Sequence, residues 1–148
     1  MTKTDPITAL WGPDPVLFVD CDDTLIQWRG DPNTPHPFGT GALVDPQTER
    51  PMWDWNHHVV KLVNEWPGHV VVWSGGGTTY ATGWTQGLIE SQVVTPRPST
   101  EGSWLHVLDK IPSIPRAQDT VIEDDNGHWG FEVGNVIHPR NLPEVEVV

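Results

Sequence analysis

Two kinds of hydrophobic pattern alternate along the chain, and their order predicts its architecture. Val16-Leu17-Phe18-Val19, Val70-Val71-Val72 within His69 to Trp73, and Thr120-Val121-Ile122 are short, nearly unbroken apolar runs. Runs of that kind read as strands buried on both faces, the usual state of parallel strands. Trp55, Val59, Leu62, Val63 and Trp66 instead recur at helical spacing, with Asp54 placed to cap the helix and Pro67-Gly68 to end it. A second helix, opened by Thr78 or Thr79, carries Tyr80, Trp84 and Leu88. Gly83 and Gly87 weaken it by about 1 kcal/mol each relative to Ala. Val93-Val94-Thr95 and Val136-Ile137-His138 read as further short strands, and Trp104 to Leu108 as either helix or strand. Strands alternating with helices predict an α/β sandwich with a mostly parallel sheet.

The interruptions are as informative. Pro6, Pro13 and Pro15 predict a loosely ordered lead-in over residues 1–14. Leu25 to Trp28 reads as a short strand or a turn. Gly30, Pro32, Pro35, Pro37, Gly39, Gly41, Pro46 and Pro51 then fall within 22 residues. Residues 25–52 are therefore expected to form a flap or irregular insertion, with Ala42-Leu43-Val44 as one arm of a hairpin; a loop that long inside a compact domain usually serves a function. The tail from Asn141 reads as a loose end or an edge strand.

Length and charge narrow the partners. The 148 residues suffice for one domain, 1–148, with a real core. A formal net charge of −12 disfavours strong binding to duplex nucleic acid or to anionic membranes. No apolar run approaches a membrane span, and no signal core is evident, so no membrane is expected. A single cysteine, Cys21, allows no intrachain disulfide and fits a cytoplasmic location. Lying between two aspartates with no base partner, it reads as a small buried residue. Nine tryptophans are unusually many for this length and supply core or pocket wall. His36, His106, His128 and His138 share no metal-ligand spacing, so no His-based zinc site is expected. His57 and His58 read as the solvated edge of the first helix.

Chemistry gathers where the strands end. The first apolar run stops at Asp20-Cys21-Asp22-Asp23-Thr24, the second at Ser74-Gly75-Gly76-Gly77, and the third at Glu123-Asp124-Asp125. Ligands bind at the carboxyl edge of open α/β sheets. Crowded carboxylates repel one another unless a proton or cation lies between them, and Mg²⁺ prefers such oxygen ligands. Lys110, 15 positions before Asp125, can reach the same edge. Glycines at 75–77 allow close backbone approach to a phosphate just before a helix N-terminus. Asp23 reads as a turn carboxylate and Thr24 as satisfying local backbone.

In these four segments the sequence resembles the haloacid dehalogenase (HAD) superfamily, mostly Mg²⁺-dependent phosphatases. Asp20-Cys21-Asp22-Asp23-Thr24 matches its first motif, Val70-Val71-Val72-Trp73-Ser74 its second, Lys110 its lone basic residue, and Val121-Ile122-Glu123-Asp124-Asp125 its fourth. The resemblance spans residues 16 to 138. It implies a three-layer, Rossmann-like sandwich with helices on both faces of the sheet. It also implies roles. Asp20 would be the nucleophile that forms an aspartyl-phosphate. Asp22 would be acid to the leaving oxygen and then base for water. Lys110 would offset charge, with Arg97 as the other candidate for that place. Ser74 and the Gly75 amide would hold the phosphoryl group. Mg²⁺ would be held by Asp20, the Asp22 carbonyl and Asp125, with Asp124 in support; a register shift of one brings Glu123 into the acidic pair instead.

Asp20 and Ser74 are 54 positions apart, too few for a helical cap domain besides the intervening helix and strand. The expectation is a small flap, no large cap and an open site. The expected function is hydrolysis of a phosphomonoester, with a nucleotide or nucleic-acid end preferred because Trp28, Trp53 and Trp55 flank the flap. A small phosphorylated molecule fits if an oligomeric neighbour closes the site. The alternatives are a non-catalytic binding or regulatory domain of the same fold, and a phosphotransferase. A dehalogenase is disfavoured, since it needs neither Mg²⁺ nor the second aspartate.

Overall fold

A computed structural model describes residues 6–28, 53–94, 104–131 and 134–142. Arg97 and the Ala42-Leu43-Val44 arm lie outside the described residues. Among the described residues five strands form one parallel sheet: β1 (Leu17–Asp20), β4 (Val70–Trp73), β5 (Leu105–Val107), β6 (Thr120–Ile122) and β7 (Asn135–Ile137). Their order is β5-β4-β1-β6-β7. β2 (Ile26–Trp28) and β3 (Trp53–Trp55) pair antiparallel in a separate two-stranded sheet that brackets the expected flap. Among the described residues no helix is long and apolar enough to cross a membrane.

Alternation along the strands divides the core into two layers. Leu17, Val19, Val70, Val72 and Ile122 face one side, packed against Val59, Val60 and Val63 of α2 (His57–Glu65) and Ala81, Trp84 and Leu88 of α3 (Thr78–Glu90). Phe18, Val71, Trp73 and Val121 face the other. There they meet Ile7 and Trp11 of α1 (Pro6–Trp11), Trp129 of α4 (Asn126–Trp129) and Phe131 just beyond it. The result is the expected α/β three-layer sandwich with helices on both faces. The central strands β1 and β4 are buried at every position, as their unbroken apolar runs require.

Several elements differ from the sequence reading. The described part of the lead-in is not loose: residues 6–11 are helical and Ile7 is wholly buried, while residues 1–5 lie outside the described residues. Pro6 is tolerated because it occupies the first helical position, where an amide is unsatisfied anyway. The first long helix starts later than the apolar spacing implied. Asn56 caps it, its side-chain oxygen accepting from the His58 amide at 3.2 Å, and Asp54 and Trp55 belong to β3. Gly77, at φ 99°, caps α3, and no side-chain hydrogen bond from Thr78 or Thr79 is needed. The strand beside β4 is Leu105–Val107; Val93 and Val94, expected in a strand, are not in one, and Val94 is buried beyond the end of α3, while Thr95 lies outside the described residues. At Gly87 a Cβ would make only ordinary contact with the Trp55 ring, at 3.5 Å.

Arg116 staples α1 to the sheet. Its guanidinium donates to both carboxylate oxygens of Asp119, to Thr8 Oγ1, and to the carbonyls of Gly12 and Asp14, all at 2.7–3.0 Å. Asp119 Oδ1 in turn accepts from the Val16 amide at 2.9 Å, fixing the entry to β1.

Candidate functional site

β1 is followed in the chain by strands on one side of it, β4 and β5, and the chain then returns to place β6 and β7 on the other. The reversal lies between β1 and β6. In open parallel sheets that is where the carboxyl ends of the strands leave a crevice. Asp20 ends β1, and Glu123 is the first residue beyond β6.

The chain turns sharply after Asp20. The Leu25 amide donates to the Asp20 carbonyl, those of Thr24 and Ile26 donate to the Cys21 carbonyl, and Asp23 adopts the left-handed φ of 57°. Asp tolerates that conformation better than most residues. The turn brings Asp22 out beside α3, where its Oδ1 accepts from the Tyr80 hydroxyl at 2.6 Å. Burial, and the bond to Asp22, raise the Tyr80 hydroxyl's pKa far above its ordinary value, so it remains a donor.

Lys110 reaches the same place from the segment after β5. Its Nζ lies 3.0 Å from Asp20 Oδ1 and in ion-pair contact with Glu123 Oε2, and all three side chains are buried. The same nitrogen stands 4.0 Å from the centre of the Trp129 ring. Asp20, Glu123 and Asp124 each offer one oxygen, and these oxygens lie within 4.8 Å of one another. Burial, then the Glu123 charge, drive the Asp20 carboxyl well above its ordinary value, against the opposing pull of Lys110. Burial likewise raises Glu123. Fully ionised, the three carboxylates would outnumber the Lys110 ammonium by two negative charges, and burial of Asp20 and Glu123 favours holding a proton there instead. A divalent cation bound by oxygen matches that deficit in charge and in ligand type.

The expected residues can now be placed. Asp20, Lys110 and Asp124 converge, and Asp22 stands at the turn beside them. Asp125, the favoured metal ligand from the sequence, is not in the group of three. It is exposed, its amide donates to Glu123 Oε1 at 3.1 Å, and its carbonyl accepts from the Trp129 amide, so it opens α4. The reason is register: β6 ends at Ile122, and the acidic pair that turns inward is Glu123 and Asp124. Ser74 is buried, and its Oγ accepts from the Gly76 amide at 3.0 Å, which bends the chain towards α3; a hydroxyl can still donate its own proton. Gly75 is exposed, and a Cβ there would lie 2.8 Å from the Trp129 ring, so a side chain would force the ring to shift. Thr24 reaches much farther than local backbone: its hydroxyl donates to Asp124 Oδ1 at 3.3 Å. Cys21 is fully buried, and burial followed by its aspartate neighbours raises the thiol's pKa, which keeps it protonated and inert.

Two contributors were invisible in the sequence as site residues. Tyr80 carries an apolar helix position, and only the turn after Asp20 reveals its hydroxyl's partner. Trp129 lay in a segment with no periodic pattern. The signals that bear on them are Tyr80's place in the first turn after a glycine run and Trp129's spacing four beyond Asp125. Set against protein-family models, curated proteins and solved structures, the chain matches none of them.

Proposed function

We infer that this protein is a Mg²⁺-dependent phosphomonoesterase of the HAD type, working through an aspartyl-phosphate on Asp20. The observation that carries the reading is the position of Lys110 Nζ between Asp20 and Glu123, with an Asp124 oxygen within 4.8 Å of oxygens of both carboxylates. A strand-end carboxylate in contact with a buried ammonium and two further carboxylates is an arrangement that costs stability without a cation, and functional sites are where such costs are found.

Asp20, Glu123 and Asp124 would hold the ion, with the fourth-motif role expected of Asp125 falling to Asp124. When bound, Mg²⁺ supplies charge neutralisation for a carboxylate approaching a phosphate dianion. An Asp20 oxygen attacks phosphorus, and the bond to the leaving oxygen breaks. Asp22 gives that oxygen a proton, then takes one from the water that cleaves the acyl-phosphate and regenerates Asp20. Lys110 orients Asp20 and balances charge as it moves onto the phosphoryl oxygens. Ser74 and the Gly75 amide bind those oxygens. The Tyr80 hydroxyl keeps Asp22 at the turn. The substrate class favoured is a nucleotide or nucleic-acid end: positions 28 and 53, both tryptophan, are backbone partners in β2 and β3, and aromatic residues suit a base.

The test is phosphate release from a panel of nucleotides, terminally phosphorylated oligonucleotides and sugar phosphates with Mg²⁺. Turnover that chelator abolishes and that Asp20→Asn reduces by at least about 10³-fold is expected. Tight Mg²⁺ binding without release from any panel member refutes turnover and leaves a metal-binding domain.

A further inference from the structure

We propose that Trp129 is the positioning residue for Lys110, holding its ammonium on the nucleophile through the face of the indole ring. This rests on the phosphatase reading for its role in turnover, though not for the contact itself. An ammonium has three N–H donors and no acceptor. Lys110 Nζ meets Asp20 Oδ1, Glu123 Oε2 and the π-face of Trp129. The two carboxylates alone leave one donor direction open, and a lysine stem with four rotatable bonds can swing between partners. The ring closes that third direction with a diffuse negative face and no further charge. A third carboxylate there would instead draw the ammonium away from Asp20.

A second observation points the same way from the opposite side. A Cβ at residue 75 would lie 2.8 Å from Trp129 Cζ2 and 3.3 Å from Cη2. The ring is therefore seated on the backbone next to Ser74 while it faces Lys110. Glycine at 75 thus does more than let a phosphate approach: it makes the seat for the indole. The second-motif loop and the catalytic lysine are linked through one aromatic ring.

The experiment combines kinetics with a measurement that needs no activity. Trp129→Leu removes the π-face and keeps apolar bulk; Trp129→Phe keeps a face. Loss of one desolvated cation–π contact is expected to lower kcat about tenfold in Trp129→Leu, with KM within about twofold, and Trp129→Phe is expected to recover most of it. In a Lys110→Met background the Trp129→Leu effect should vanish, because the ring acts through that ammonium. Gly75→Ala should reproduce the Trp129→Leu phenotype by lifting the ring. Equal losses in Trp129→Phe and Trp129→Leu, or an undiminished effect in the Lys110→Met background, overturn the proposal in favour of simple packing.

Independently, Lys110 is one of only three lysines, so its side-chain NMR signals can be assigned. Its ε-methylene protons should show an upfield ring-current shift that Trp129→Leu and Gly75→Ala abolish. Absence of that shift in the unmutated protein overturns the contact. Its presence in a protein without phosphatase activity upholds the contact while the reading of function fails.

Discussion

Lys110 Nζ lies 3.0 Å from Asp20 Oδ1, with the two side chains only 2% and 9% exposed. At that burial, water screens little of the interaction, and removing one partner leaves an uncompensated charge. Lys110→Met is therefore expected to destabilise the metal-free protein by about 3 kcal/mol at pH 8, as read by urea denaturation. The loss should shrink at pH 5, where the carboxylates take up protons instead. A loss unchanged across that range would mean that the lysine's stem and not its charge is what the site needs.

The raised Asp20 carboxyl sets the sign of a second pH effect. Its ordinary value is near 3.8, and burial, then Glu123, push it up to about 8 on folding. Between those limits the folded state binds more protons than the unfolded one, so stability falls as pH rises. Thermal melts of metal-free protein should accordingly give a higher midpoint at pH 5 than at pH 8. Mg²⁺ should reverse the order by stabilising the ionised cluster, and its binding should release protons. Melting temperatures insensitive to Mg²⁺ at pH 8 would remove the metal from the account.

At the opposite end of β4 and β5, His69 Nδ1 and His106 Nε2 lie 2.9 Å apart, and Trp11 stacks on both rings. Burial, then the neighbouring His69, lowers the pKa of His106 from 6.5 to about 4. The unfolded chain therefore binds the extra proton first, so the stability His106 contributes while neutral is lost as pH falls from 6.5 towards 4. Subtracting the pH–stability curve of His106→Asn from that of the native protein should reveal this slope over that interval. Amide exchange in α1, which carries Trp11, should accelerate over the same range.

Arg116→Lys should not behave as a conservative change. An ammonium cannot reproduce the fork that spans Asp119, Thr8 and the Gly12 and Asp14 carbonyls. A stability loss of about 3 kcal/mol is expected, with hydrogen exchange rising first in residues 6–16. Activity per folded molecule should be retained, since the staple lies at the amino ends of the strands.

The sheet was legible because its central strands are buried on both faces and so leave unbroken apolar runs at Val16 to Val19 and Val70 to Trp73. The order of the polar strand ends was legible for the same reason. Short elements were not. Val93 and Val94 have more strand character than Leu105–Val107, yet the latter takes the place beside β4 through tertiary packing. Asp54 and Asn56 are both good caps, and pairing of Ile26 with Trp55 in β2 and β3 decides between them. At the site, Asp20 could be named from pattern and Lys110 only as one of two candidates beside Arg97, whereas the choice among Glu123, Asp124 and Asp125 turned on where β6 stops, a boundary of one residue. Tyr80 and Trp129 depend on three-dimensional proximity alone, for which a single sequence offers no periodic signal.

The parallel order of the sheet has one further consequence. Asp20 meets Lys110 and Asp124 only after β1 has been flanked by β4 and β6, with contributions drawn from positions about a hundred residues apart. No fragment made early in synthesis holds the assembled carboxylates. The acidic cluster is thus completed only when the late-made β6 pairs with a strand the ribosome released long before.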